Sequence, residues 1–269
     1  MTLKHLDAYL TRIGLDHPAS LAEMHRSHAT SVPFENFDSS AGRAVSLDPA
    51  QLEDKLVARR RGGYCFEHNL LFMAALHAIN IDVVEPMLAR VRGNADDGPG
   101  PLNHLVLRTV DCGEPWLVDV GFGGGGLLDP IPFRVGAESD QSGWHYRLIE
   151  EGAEIVLQVH QDGDWTALYG FVPEPVPMVD IEVANWYTST HPSSPFVSGV
   201  IAGARRVDRC LTFYQFDEPT LVERGIGQPP VTTTVSRSEV PALLERRFGI
   251  AGVIEDARGR PVLEGGPGV

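Results

Sequence analysis

A cysteine, a histidine and an aspartate lie where their chemistry can be combined. Cys65 stands in RRGGYCFEHN, His104 in PLNHLVLRTV and Asp119 in WLVDVGFGGGG. A cysteine attacks as the thiolate, needs a base to form it, and the base needs an acceptor that orients it. Cys65 opens a segment with helical patterning. There, unpaired backbone N–H groups and the positive end of the helix dipole favour an anion. Gly62 and Gly63 before it allow a tight turn and close approach of a substrate. The competing explanation is a small buried hydrophobe, the usual state of a free cysteine. His104 begins an apolar strand and Asp119 ends the next one. Paired antiparallel through the DCGE turn, the two become near neighbours, and the carboxylate gains the partner its burial requires.

Other histidines compete for the role of base. His68 and His77 share the helix of Cys65, and the C-x-x-H spacing of Cys65 and His68 is also half of a zinc site. No second pair with ligand spacing accompanies it, so no metal is expected. His25 and His28 are expected on a solvated or half-buried helix face. His5, His17, His145 and His160 have no acid or thiol nearby that singles them out. The glycine run after Phe122 can aim several N–H groups at an anion. It lacks the Lys-Ser/Thr of a phosphate-binding loop and makes no dinucleotide fingerprint.

These groups need elements to hold them. Helical patterning covers most of the first ninety residues: LKHLDAYLTRIG closed by Gly14, SLAEMHRSH with Ser20 three residues before Glu23, and LDPAQLEDKLVARR with Asp48 as N-cap and Pro49 behind it. The fourth helix starts at Cys65, with Phe66, Leu70, Met73 and Leu76 as its inner face, widened by Phe72 and Ile79. From about Val83 short alternating runs separated by turns predict an antiparallel barrel or sandwich. MVDIEVANWYTST predicts a helix, CLTFYQF and TTTVS strands, and EVPALLERRFG a helix capped by Gly249. Residues 93–101, GNADDGPGP, are expected to be a mobile loop, and the last few residues to fray.

The 269 residues carry a formal net charge of −14, which argues against a general nucleic-acid or membrane-surface binder. No apolar run is long enough to span a bilayer, and the start of the chain lacks the apolar core of a signal peptide. Three widely spaced cysteines read as free thiols in a reducing cytoplasm.

The chain resembles the arylamine N-acetyltransferase family through a series of motifs in order. They are LDAYLTRIGL, SVPFENFD, RGGYCFEHN, NHLVL, DVGFG and NWYTSTHPSSPF, and they extend to about residue 196. Phe37 departs from the leucine usual after VPFEN, a difference expected to affect packing alone. The resemblance implies an α+β fold with a cysteine-protease-like triad: a helical bundle over 1–88, an antiparallel β-barrel over 89–178, and an interdomain helix with an α/β lid over 179–269. It implies Cys65 as nucleophile, His104 as base and Asp119 as orienting acid. Phe34 and Phe122 would line the acceptor pocket, and Glu35 and Arg61 would pair to brace the nucleophile turn. Gly124, Gly125 and Gly126 would lie along the coenzyme A pyrophosphate. The implied reaction is ping-pong, with acetyl-CoA as donor, coenzyme A as leaving group, and a small aromatic amine, hydrazine or N-arylhydroxylamine as acceptor. Oxyanion donors are expected from the Cys65 N–H and the glycine loop. An amide synthase closing a macrolactam, a hydrolase with the same triad, and a non-catalytic binding protein are the alternatives. Arg205, Arg206 and Arg209 form a basic cluster, either a rim facing coenzyme A or an exposed strand edge.

Overall fold

The computed structural model describes residues 3–81, 83–92, 100–256 and 259–264. Most of the loop expected at 93–101, and the last five residues, lie outside these. In the N-terminal part, α1 (Leu6–Ile13) ends at Gly14 in the left-handed conformation (φ 82°), and α2 (Leu21–Ser31) starts at Ser20, whose side chain accepts from the Glu23 N–H. Next come the two-residue β1 (Phe34–Glu35) and the short α3 (Phe37–Ser40). In α4 (Pro49–Glu53), Asp48 accepts from the N–H groups of Ala50 and Gln51, a cap typically worth about 1 kcal/mol. A wider π-helical turn, Asp54–Ala58, carries α4 toward the segment of Cys65.

α5 (Cys65–Ala78) is the central helix. Six apolar positions, Phe72 and Ile79 included, were expected to form its inner face, but every residue from Cys65 to Leu76 is buried, Glu67, His68 and Asn69 among them. A helix apolar on nearly all sides lies inside a fold rather than against it, and its few polar residues must then find partners within the protein.

An antiparallel sheet follows: β2 (Val84–Val91), β3 (His104–Asp111), β4 (Glu114–Val118), β5 (Ile131–Pro132), β6 (Glu138–Gln141), β7 (Trp144–Glu151), β8 (Glu154–Gln161) and β9 (Asp164–Phe171). Its order is β5-β4-β3-β2-β9-β8-β7-β6, and β5 and β6 approach one another, so the sheet is a nearly closed barrel. α6 (Met178–Thr190) and the short α7 (Pro195–Ser198) lead to β10 (Val200–Arg205), β11 (Arg209–Gln215), β12 (Thr220–Gly225) and β13 (Val231–Thr234). α8 (Val240–Leu243) lies within a broken helical run that ends at Gly249 (φ 74°), before the hairpin of β14 (Val253–Glu255) and β15 (Pro261–Leu263). The fold is thus α+β.

One pairing runs against sequence order. β1, from the helical part, pairs with β10 of the later sheet, Phe34 opposite Gly203. It also bridges Gly63 in the turn before Cys65. Two residues of strand therefore join the C-terminal sheet to the turn before Cys65.

Candidate active site

Cys65, His104 and Asp119 are 3%, 2% and 1% exposed and converge between α5 and the barrel. β3 pairs antiparallel with β4 in the register Leu107 to Val118, which brings the start of β3 level with the residue after β4. His104 Nε2 meets Asp119 Oδ2 at 2.8 Å. That leaves Nδ1 free of Asp119, and the nearby Cys65 thiol acts on the imidazole electrostatically. The thiol also reaches the Asn103 carbonyl at 3.5 Å. Burial opposes a charge on His104, but the Asp119 carboxylate, its hydrogen bond and the thiol together lift the imidazole to about 10. Asp119 responds in the opposite sense. Burial works against its charge, while His104, Asn69 and the Gly121 N–H hold its carboxyl below the usual value.

Asn69, one turn along α5 from Cys65, was quoted in the cysteine motif without a function. It donates to the Leu105 carbonyl at 2.7 Å and to Asp119 Oδ1 at 3.0 Å, and its own oxygen accepts from the Val120 N–H at 3.1 Å. The i, i+4 spacing on a helix places it on the face of Cys65, a signal available from sequence. Gly121 is needed for close approach. A Cβ there would lie 2.8 Å from both Cys65 Cα and Asn69 Nδ2.

The histidines expected on an open face of α2 are fully buried instead. His25 Nδ1 donates to the Leu128 carbonyl at 2.9 Å, and its Nε2 accepts from the Asp119 N–H at 3.2 Å. A carbonyl can only accept and an amide can only donate, so His25 is neutral with its proton on Nδ1. Burial, the leading cause, lowers its pKa accordingly. The same bookkeeping fixes a chain of three groups. His68 Nε2 faces the Pro33 and Gly63 carbonyls, so it carries the proton, and its Nδ1 accepts from His28 Nε2 at 3.0 Å. His28 Nδ1 then accepts from the Tyr9 hydroxyl at 2.8 Å. Burial pushes His68 down to about 4, and His28 is lowered as well. His68 is therefore a neutral tie to the nucleophile turn with no proton-accepting nitrogen left for Cys65. Among the described residues no group of three or more His, Cys, Asp or Glu side chains converges to hold a metal ion.

Beneath the turn lies a buried ionic network. Arg61 Nη2 pairs with Glu35 Oε1 at 2.8 Å and with Asp38 at 3.0 Å, while Lys55 Nζ meets Asp38 and Glu67, each at 2.7 Å. Glu67 accepts from the Tyr64 N–H at 3.0 Å and Glu35 from the Phe37 N–H at 2.8 Å. Gly62 leaves no room for a side chain, because a Cβ would lie 2.1 Å from the Pro33 carbonyl oxygen.

Aromatic rings surround the triad. Phe122 meets His104 edge to face at 5.3 Å, Tyr169 lies 4.8 Å from His104, and Phe34 packs on Phe196 at 5.9 Å. Phe34 also touches Gly123, which needs its positive φ of 90° to turn the loop. Cβ atoms at Gly124 and Gly126 would strike Thr212 and Phe122, whereas Gly125 faces open space. The arginine cluster separates. Arg205 is 3% exposed, Arg206 half-buried and paired with the carbonyls of Thr30, Arg205 and Arg247, and Arg209 exposed with Asp208 and Glu223. Strand alternation sends Arg205 inward and its neighbour outward, so the three present no common rim.

The sequence model of a family described as N-acetyltransferase matches residues 19–256. An arylamine N-acetyltransferase of Mycolicibacterium smegmatis is 38% identical over 266 residues, covering 96% of this chain and 95% of that protein. An arylamine N-acetyltransferase / N-hydroxyarylamine O-acetyltransferase of Salmonella typhimurium is 36% identical over 71% of this chain and 69% of its own length. Among solved structures, an arylamine N-acetyltransferase of Mycobacterium marinum in complex with CoA superposes with a TM-score of 0.83 at 33% identity, over 91% of this chain and 92% of that one.

Proposed function

The chain belongs to the arylamine N-acetyltransferase family, and we propose that it transfers acetyl groups from acetyl-CoA to aromatic amines and hydrazines through a thioester on Cys65. The observation that carries the reading is the buried convergence of Cys65, His104 and Asp119 between the central helix and the barrel, with His104 hydrogen-bonded to Asp119. The imidazole, held charged by Asp119, is the cation that favours a thiolate nucleophile beside it. The thiolate attacks the thioester carbonyl. The tetrahedral oxyanion takes the Cys65 N–H, at the first position of α5 where no intrahelical acceptor exists, and an N–H of the glycine loop. Collapse forms acetyl-Cys65 and expels the coenzyme A thiolate, which takes the proton from His104. The exchange is nearly even in energy, since one thioester replaces another. A neutral arylamine then attacks, His104 accepts its proton, and Cys65 leaves as thiolate.

Phe34 and Phe122 flank the glycine loop and would stack on the acceptor ring, worth about 0.5–1.5 kcal/mol per ring pair beyond area burial. Gly125, which faces open space, leaves the backbone accessible to the coenzyme A pyrophosphate. Glu35 and Arg61 would brace the nucleophile turn. Transfer to N-arylhydroxylamine oxygen is included in the proposal, as in the name of the Salmonella relative. A macrolactam-forming amide synthase and a hydrolase draw no support from the relatives. Three lobes divide the work in this reading: residues 1–88 supply the thiol, 89–178 its base and carboxylate, and 179–269 a cover. No helix among the described residues is long and apolar enough to cross a membrane, and the three unbridged cysteines favour a cytoplasmic site.

The test is coenzyme A release from acetyl-, propionyl- and malonyl-CoA with a panel of arylamines and arylhydrazines. Acetyl-CoA should give a burst of one equivalent without acceptor and turnover with one, and Cys65→Ala should abolish both. Retained turnover in Cys65→Ala would overturn the nucleophile assignment.

A further inference from the structure

Behind the glycine loop lies a cavity of about 10 Å³. Its lining includes Phe34, Asp119, Gly123, Gly126, His68 and Arg205. A space of that size accepts about one particle comparable to water.

Arg205 enters it from the end of β10. One of its nitrogens is engaged, with Nη2 donating to the Tyr146 hydroxyl at 2.9 Å. That hydroxyl donates in turn to the Gly126 carbonyl at 2.8 Å, so the arginine is linked to the glycine loop. The guanidinium also rests 4.2 Å from the centre of the Trp144 ring. Its Nε and Nη1, however, are fully buried without an acceptor, and Arg205 forms no ion pair among the described residues. A buried cation without a counter-charge costs several kcal/mol, in contrast to one that is paired.

The neighbours do not supply that charge. Asp119 borders the cavity, but its oxygens are taken by His104, Asn69 and the Gly121 N–H, and its charge is balanced by His104. His68 is neutral, with both ring nitrogens engaged. Cys210 lies directly across the strand pair from Arg205. Burial, outweighing the charges of Arg205 and Arg224 and the approach of Arg205 to its sulfur, pushes its thiol up, so Cys210 offers Arg205 no counter-charge. A thiol sulfur is a weak acceptor at best.

We infer that this cavity is a small-anion site, in which an unpaired N–H of Arg205 holds one halide-sized anion such as chloride or bromide behind the glycine loop. The anion completes the charge balance of Arg205, which through Tyr146 fixes the Gly126 carbonyl. The inference rests on the buried arginine and not on the transfer chemistry, although Asp119, Phe34 and Phe122 border the same cavity.

The test uses the full chain. Crystals grown in sodium bromide should show an anomalous peak in the cavity within hydrogen-bonding distance of Arg205 Nε or Nη1. In parallel, bromide should raise the Tm by about 2–4 °C and saturate, relative to gluconate at equal ionic strength. Arg205→Met should lose that increment. Density without anomalous signal, meaning a water, or a Tm indifferent to bromide in the wild-type chain would overturn the site. The crystallographic arm needs no variant, so a poorly folding Arg205→Met does not weaken the test.

Discussion

His104 and His68 are both buried histidines, yet their environments drive them in opposite directions, and the pH dependence of stability should separate them. His104 is raised to about 10, so the folded state binds its proton more tightly than the unfolded chain. Its contribution is complete below about pH 6.5 and is lost as pH rises toward 10. His68 is lowered to about 4, so below about pH 6.5 the unfolded chain takes a proton that the folded one refuses. Stability from this residue falls as pH falls, by about 2 kcal/mol at pH 5. His68→Gln keeps a donor for Gly63 and an acceptor for His28 without a titrating group. Urea midpoints at pH 7 and pH 5 should therefore differ less in His68→Gln than in the wild type, and an unchanged difference would contradict the neutral relay. Asp119→Asn removes the charge that lifts His104, leaving burial to lower it. Single-turnover acetylation at pH 7 should fall about 10²–10⁴-fold, with a smaller alkaline loss of stability. The sequence placed His104 beside Asp119 through strand register. It could not show that His25 and His28 are buried, because α2 has a polar surface pattern and only the enclosing loop supplies Leu128 O and the Asp119 N–H as partners.

α5 was readable as a helix from its start signal and apolar content, but its inner face was drawn too narrow. Apolar spacing marks which residues prefer burial. It does not reveal that helices, barrel and buried charges will enclose the polar residues as well. Lys55, Asp38, Glu67, Arg61 and Glu35 come from four segments, and only the Glu35–Arg61 pair was anticipated, from resemblance. Two predictions belong to this element. Asn69→Ala leaves Asp119 Oδ1 and the Val120 N–H short of a partner. It should lower stability by about 1–3 kcal/mol and slow transfer more than it weakens substrate binding, a split read from kcat and KM. Gly121→Ala places a methyl against Cys65 Cα and Asn69. Alkylation of Cys65 by iodoacetamide should slow at least tenfold, while alkylation of exposed Cys112 should stay unchanged as the internal control.

Across the whole molecule, distant segments are joined at a few polar points. Asn185 on α6 accepts from the Tyr64 hydroxyl and donates to the Val45 carbonyl at 2.9 Å, tying the later helix to the residue before Cys65. Asn185→Ala should cost about 1–3 kcal/mol and lower the Tm by roughly 2–10 °C, as measured by calorimetry. The element order was largely visible in the sequence, whereas the two-residue β1 was not. So short a strand carries no periodicity, and its identity comes from β10, more than 160 residues away. The depth of the sulfur has a consequence for yield. On the proposed mechanism, acetyl-Cys65 has two possible fates, capture by an amine or hydrolysis by water, and their ratio decides how much donor is wasted. With 3% of Cys65 exposed, bulk water reaches the acyl group poorly. The intermediate can then persist between the departure of one substrate and the arrival of the next, which lets a scarce acceptor be conjugated without a standing drain on acetyl-CoA.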